Sequence, residues 1–221
     1  MPAVRGVLFD FGNTLFAHAS LAATIESVCE ELGESRSTQW SEGLATRVEA
    51  AAHTDEELLH PRDLDMDVWR ERWHVLYALA DEEVPGLGAA IYAAMHDPTQ
   101  WRPYATAGQT LARIHEFGVP IAIVSNTGWD VRAVFAAHHL DHYVSAFVLS
   151  YEVGTVKPDQ RIFHAACHAL AVPASACLMV GDDPRADSGA VAAGLRVLLV
   201  PALGPGADNG VDAAARIVTG V

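Results

Sequence analysis

A chain of 221 residues, 51% of them hydrophobic and 19% charged, can bury a sizeable core, or a core with an insertion, and is not a disordered composition. Its formal net charge of −14, from 14 Lys plus Arg against 28 Asp plus Glu, disfavours nucleic acid and anionic membranes as partners. No apolar run approaches the roughly 20 residues of a membrane span. No secretory pattern opens the chain, and the widely spaced Cys29, Cys167 and Cys177 form neither a metal spacing nor an even disulfide framework, so a reduced, cytoplasmic protein is expected.

Residues 4–9 (VRGVLF) read as a first buried strand. From about Ala17 to Met95 no convincing strand appears. In LAATIESVCEELG, apolar Leu21, Ile25, Val28 and Leu32 recur at helical spacing, and Gly33 is a plausible stop. STQWSEGLATRVEAAAH and DLDMDVWRERWHVLYALA read as two further helices, and VPGLGAAIYAAMHDP as a fourth that ends before Pro98. The pattern then changes. A helix near 105–117 ends at Gly118 and is followed by the strand PIAIVS. Next come a helix near 129–138, a strand AFVLS, a helix near 159–170 and a strand CLMVG. A helix near 185–193, a strand LRVLLV and a last helix after Gly210 complete the chain. Alternating strands and helices predict an α/β fold, a Rossmann-like parallel sheet covered on both faces. The early helices form an insertion of about 80 residues in it.

Ligands of such sheets bind at the carboxyl ends of the strands. The first strand ends in Asp10, the second in Ser125 and Asn126. The third is followed by SYEVGTVKPD, with Lys157, and the fourth by GDDPRAD, with Asp182, Asp183 and Asp187. Any one of these could be a helix cap. Four in succession predict one convergent crevice. Charge arithmetic there predicts a hard divalent cation. Four carboxylates against one lysine leave an excess of negative charge that a metal with oxygen ligands would relieve.

The ordered set LFDFGNTL, IVSN, KPD and VGDDPRADSGAVAAG resembles the haloacid dehalogenase superfamily, in the branch with a helical cap inserted after the first motif. The resemblance spans the whole core and implies a core domain of residues 1–16 and 99–221 with a cap domain of 17–98. It implies that Asp10 is a nucleophile forming a covalent aspartyl intermediate. Thr14, Ser125 and backbone N–H groups near residues 11–13 and 126 would hold the transferred group. Lys157 would hold Asp10 and a phosphate oxygen by charge. Mg²⁺ would bind Asp10, Asp182 and the Gly12 carbonyl, with Asp187 completing or orienting the site and Asp183 an extra ligand. Gly12 and Asn13 let the chain turn sharply and bring amides to the phosphate.

Phosphatases of this superfamily usually carry a second Asp two residues after the nucleophile, as the general acid–base. Gly12 stands there and cannot move a proton, a loss worth roughly 10²–10⁴-fold. Three readings follow. The first is a magnesium-dependent phosphatase for a small phosphorylated metabolite, with protons supplied by water, substrate or another group such as His18. The second is a 2-haloacid dehalogenase-type hydrolase, disfavoured by the acid-rich fourth motif. The third is a catalytically impaired binding or regulatory homologue. Substrate choice is expected in the cap stretch HPRDLDMDVWRERWH, with Arg70 as an anion contact, and in Thr127 and Trp129 just after the second strand. Trp69, Trp73 and Leu76 also suit an internal helical seam. A homodimer formed through the cap is among the arrangements the sequence allows.

Overall fold

The computed structural model describes residues 3–220. Five parallel strands form the central sheet: β1 (Gly6–Phe9), β4 (Ile121–Ser125), β5 (Ala146–Leu149), β6 (Cys177–Gly181) and β7 (Arg196–Leu199), in the order β5-β4-β1-β6-β7. β1 is central, with Val7 opposite Ile121 on one side and Leu178 on the other. Its side chains alternate between the faces of the sheet. Val7 and Phe9 join a cluster with Ile121, Ile123 and Val180, covered by α6 (Ala107–Glu116), α7 (Arg132–Ala137) and α11 (Ala213–Thr219). Leu8 joins Ala122, Val124 and Met179 beneath α9 (Gln160–Ala169) and α10 (Gly189–Ala192). A strand buried on both faces has no use for polar alternation, which is why VLF and IAIV read as continuous apolar runs. The chain leaves β1 toward β4 and β5, then crosses to β6 and β7. The topological switch therefore lies at the carboxyl end of β1, between β4 and β6.

Two short strands, β2 (Phe16–Ala17) and β3 (Arg102–Pro103), pair antiparallel, with Phe16 opposite Pro103. Neither is evident from sequence, because two residues carry no periodicity. Between them lie α1 (Leu21–Glu31), α2 (Thr38–Ala52), α3 (Asp55–Leu58), α4 (Met66–Tyr77) and α5 (Leu87–Met95). They enclose their own core of Ile25, Val28, Leu44, Val48, Leu76, Leu87 and Ile91. Ser20, Ser37 and Asp65 cap α1, α2 and α4 by accepting backbone N–H bonds. Gly88 lets α5 lie close on α4: a Cβ there would be 2.6 Å from the Tyr77 carbonyl oxygen.

Several elements differ in extent from the sequence reading. The helix expected over 185–193 shortens to α10, because residues 184–188 are turns organised around Asp187. The long third cap helix breaks into a 3-10 turn (Arg62–Leu64), α4 and a second 3-10 turn (Ala78–Ala80). Asp65 interrupts it, as its extended backbone (ψ 126°) ends one element and caps the next. The single turns α3 and α8 (Ser150–Val153) are also unannounced in the sequence. No described helix is long and apolar enough to cross a membrane.

Candidate active site

The turn after β1 sets the site. Asp10 N–H donates to the Val180 carbonyl of β6, and Leu15 and Phe16 N–H groups both return to the Phe11 carbonyl, each at 3.1 Å. Asn13 takes a left-handed φ of 56° in this turn. Asn tolerates that conformation better than most residues with a Cβ. Asn209, absent from the sequence-based set, is buried and donates from Nδ2 to the Thr14 carbonyl at 3.0 Å, fixing the turn from the far end of the chain.

Asp10 and Lys157 face each other at the floor of a cavity of about 350 Å³. Lys157 Nζ lies 2.9 Å from Asp10 Oδ1 and 2.7 Å from Asp187 Oδ1. The lysine is held from behind by a reciprocal pair: its N–H donates to Asn126 Oδ1 at 2.7 Å, and Asn126 Nδ2 donates to its carbonyl at 3.0 Å. Asn126 thus fixes the lysine backbone. Asp187 is fully buried, with Oδ1 on Lys157 and Oδ2 accepting the Asp183 N–H at 3.0 Å. Gly181 leaves room for it, since a Cβ there would be 2.0 Å from Asp187 Oδ2.

The electrostatics are those of crowded acids. Burial pushes Asp10 up to about 6 against the pull of Lys157, and Asp187 and Asp182 push the same way. Burial also raises Asp182, opposed by the Thr14 hydroxyl. Burial disfavours the Lys157 charge, but Asp10 and Asp187 outweigh it and hold the ammonium above its ordinary pKa. Carboxylate oxygens of Asp10, Asp182 and Asp187 lie within 4.8 Å of one another. Three acids at that spacing, two of them raised toward neutrality, are a donor set suited to a divalent cation.

The structure also corrects parts of the sequence reading. Thr14 is buried away from the cavity, and its hydroxyl donates to Asp182 Oδ1 at 3.1 Å, so it orients a carboxylate rather than meeting a transferred group. Phe11 and Asn13 N–H groups are engaged, one on Asp10 Oδ1 at 2.7 Å and the other on the Phe16 carbonyl at 2.7 Å. Thr127 lines the cavity, but its N–H is taken by Ser150 Oγ at 2.8 Å. Asp183 lines the cavity while capping the following turn, Oδ1 accepting the Arg185 N–H at 2.7 Å. Arg70 is no part of the wall: its guanidinium pairs with Asp67 at 2.6 Å on the outer face, with 60% of the side chain exposed. His18 is also outside the wall, its ring nitrogens facing the Ala19 and Ala94 carbonyls. Gly12, Asn13, Ser125 and Trp129 do line the cavity.

Trp69, Trp73, Tyr77, Met95, His96 and Trp101 complete the wall. Of these only the two tryptophans of α4 have a place in the sequence reading. His96 accepts the Trp69 indole N–H on Nε2 at 2.8 Å, and its Nδ1 faces the Tyr92 carbonyl at 2.8 Å. The indole nitrogen only donates, so Nδ1 carries the imidazole proton. Burial lowers the His96 pKa, and both ring nitrogens are engaged. His96 therefore positions Trp69 and is not a ready general acid. Cap residues 62–69 meet the core at Ser150 and Gly128. Ser150 Oγ meets the Asp63 carbonyl, and Gly128 lies so close that a Cβ would sit 2.4 Å from both the Arg62 oxygen and Trp69 Cβ.

The protein-family model for haloacid dehalogenase-like hydrolases matches residues 4–194. The chain belongs to that family. It is a hydrolase with a parallel-sheet core and inserted cap helices. Among curated members it is 28% identical over 187 residues to a glyceraldehyde 3-phosphate phosphatase of Methanopyrus kandleri, covering 81% of this chain and 76% of that one. It is 32% identical over 210 residues to a ribulose-1,5-bisphosphate 5-phosphatase of Halopiger xanaduensis, covering 87% and 83%. In fold it matches a dehalogenase solved as an intermediate complex, with a TM-score of 0.69 and 20% identity over 95% of this chain and 90% of that one.

Proposed function

We propose that the protein is a phosphatase for small phosphate monoesters, with Asp10 as nucleophile and residues 17–98 as a cap over the site. The observation that carries this reading is the Asp10, Asp182 and Asp187 cluster beside a buried Lys157. Both curated relatives described above are phosphatases by name, which supports it.

Asp10 ends the central strand, where its carboxylate reaches the cavity and needs no base to become ionised above its pKa of about 6. One oxygen attacks phosphorus as the P–O bond to the leaving group breaks. Water then attacks the phosphorus of the aspartyl phosphate, releasing inorganic phosphate and restoring Asp10. Lys157 neutralises Asp10 in the resting site and stands ready to hold an equatorial phosphoryl oxygen. Asn126 and Asp187 fix that lysine from both ends. Ser125, at the end of β4, lines the cavity and offers its hydroxyl to the transferred group. Asp10, Asp182 and the Gly12 carbonyl would hold Mg²⁺, with Asp183 at the rim and Asp187 orienting; when bound, the ion neutralises these carboxylates and stabilises charge on the phosphoryl oxygens. The cap side chains Trp69, Trp73 and Tyr77 wall the cavity and reduce its exposure to bulk water.

C–halogen hydrolysis is the second reading. It gains from one observation: Trp101 lies beside Gly12, 3.7 Å from the position of a Cβ, so an aromatic ring borders the place where an acid would stand. The carboxylate cluster weighs against it, because displacing halide from a haloacid gives those acids no role. The deciding experiment is release of phosphate from a panel of phosphate monoesters and acetyl phosphate, with Mg²⁺ and with EDTA, for wild type and Asp10→Asn. Metal-dependent release that is lost in the variant supports the phosphatase. Chloride from 2-chloropropionate without phosphate release from any ester overturns it.

A further inference from the structure

We infer that the preferred substrate is a monoester of an uncharged aromatic alcohol, an aryl phosphate, whose ring is held in the aromatic half of the cavity. This inference rests on the phosphatase reading of Asp10 and names the substrate class for it. Two independent observations carry it, one on binding and one on chemistry.

The binding observation is the composition of the wall. Above the acid-lined floor, the cavity is walled by Phe11, Trp69, Trp73, Tyr77, Trp101 and Trp129. These rings brace one another: Trp69 and Trp73 lie 5.7 Å apart, Phe11 and Trp101 4.7 Å, and Trp101 and Trp129 6.1 Å, centroid to centroid. Among the described residues, Lys157 is the one Lys or Arg in the wall, and it is already shared by Asp10 and Asp187. The nearby Arg62 stands behind Trp73, 5.2 Å from its ring centroid, donates to the Ala52 carbonyl and lies 3.6 Å from Glu57, outside the cavity wall. A second phosphate or a carboxylate on the leaving group would meet no further Lys or Arg in this wall. A flat neutral ring instead meets surfaces it can stack on or meet edge to face. Space suffices: an apolar cavity of about 150 Å³ takes up benzene, and this one is about 350 Å³ with the phosphoryl end included.

The chemical observation is that, among the described residues, neither the position two after the nucleophile nor His96 offers a proton to the leaving oxygen. Gly12 has no side chain, Trp101 lies against it, and both nitrogens of the nearby His96 are engaged. A phenol ionises near pH 10, as Tyr does, whereas an alkanol is nearly as weak an acid as water, at about 15.7. An aryloxide can therefore depart as the anion and take its proton from solvent afterwards. The first step forms the Asp10 Oδ–P bond and breaks the P–O(aryl) bond, with the electron pair leaving on the aryloxide. The second consumes one water and releases phosphate. The same wall that binds a ring thus accompanies a site that favours a leaving group stable as an anion.

The test compares kcat/KM for phenyl phosphate, 4-carboxyphenyl phosphate, phosphoglycolate and acetyl phosphate with Mg²⁺. Phenyl and 4-carboxyphenyl phosphate share an aryl leaving group and differ by one remote charge. Phenyl phosphate is expected to exceed both carboxylate-bearing esters by about tenfold or more. Trp73→Leu and Trp129→Leu are each expected to lower the preference for phenyl over acetyl phosphate, read as kcat/KM, by about tenfold, the scale of losing one ring contact and its burial. Acetyl phosphate has a good leaving group and no ring, so its turnover reports the Asp10 chemistry alone. Turnover of acetyl phosphate together with preference for phosphoglycolate, or equal use of the two aryl esters, overturns the inference and leaves the phosphatase standing. No release from any of the four compounds overturns the phosphatase reading itself.

Discussion

Gly128→Ala tests how the cap is seated on the active site. Gly128 follows the second strand's Ser125-Asn126-Thr127 and lies against the cap, where an added Cβ would be 2.4 Å from the Arg62 carbonyl oxygen and 2.4 Å from Trp69 Cβ. That is about 1 Å closer than non-bonded carbon atoms settle. Both neighbours belong to well-packed elements: one is a backbone oxygen, and the other is the first side-chain carbon of a residue braced by its indole bond to His96. Neither can rotate away, so the cap segment 62–69 must move by about the missing ångström. Trp69 moves with it and widens the cavity opposite Asp10. A displacement of about 1 Å in positioning groups can cost on the order of 10²-fold in rate, and overpacking of this kind typically costs about 1–3 kcal/mol of stability. Catalytic efficiency is expected to fall by roughly 10- to 100-fold, with far-ultraviolet circular dichroism unchanged and Asp10 still phosphorylated slowly. Steady-state phosphate release and thermal denaturation check it. Activity within twofold of wild type, with an unchanged melting temperature, would refute the claim that this contact seats the cap.

Gly12→Asp returns an acid to the position facing Trp101. A Cβ there makes only ordinary contacts, the nearest at 3.7 Å, so the variant should fold. Turnover of alkyl phosphates is expected to rise by at least about tenfold, within the range of general acid catalysis, while phenyl phosphate gains less; a parallel rate assay on both esters reads the difference. Mg²⁺ should stabilise the protein by about 2.7 kcal/mol at a hundred times its dissociation constant, a rise in melting temperature of roughly 5–10 °C that disappears in Asp182→Asn. In the metal-free protein, folded Asp10 holds its proton up to about pH 6, against about 3.9 unfolded. Its contribution to stability therefore falls as pH rises between those values, and a pH series of melts with EDTA, for wild type and Asp10→Asn, reads the difference. Glu57→Gln leaves Arg72 and Arg62 without their shared carboxylate, now 2.6 and 3.6 Å away. The pair is partly exposed at Arg72, so the expected loss is about 2 kcal/mol, a drop in melting temperature of roughly 4–8 °C.

What the sequence made legible was the crevice and its carboxylates. Asp10 and Asp182 directly follow buried strands, Ser125 ends one, and Lys157 lies in the loop beyond β5 and α8; in a parallel sheet these carboxyl-end positions are set by topology, so the structure brings them to one cavity. Local geometry was less legible. Thr14 and Asp187 lie in the expected motifs, yet they face other side chains rather than the cavity, because partners at 168 and 30 residues' separation claim their oxygens. Arg70 was misplaced by its helix. Trp69 and Trp73 are four residues apart and share the cavity face of α4, while Arg70 is one step round the helix and pairs with Asp67 in solvent. His96 and Trp101 carried no motif at all. They reach the site because α5 packs on α4 and β3 returns the chain beside β2, and neither contact has a sequence period. Asn209 and Ser150, which fix the first and second motif loops, likewise act across the fold.

In the proposed reaction Asp10 carries the phosphoryl group. The most direct measurement is peptide mass spectrometry of enzyme quenched in acid during turnover of acetyl phosphate with Mg²⁺. A phosphoryl group is expected on Asp10 in the peptide spanning GVLFDFGNTLF, absent with EDTA and absent in Asp10→Asn. Continued phosphate release with Asp10 unmodified, or full activity in the Asn variant, would contradict it.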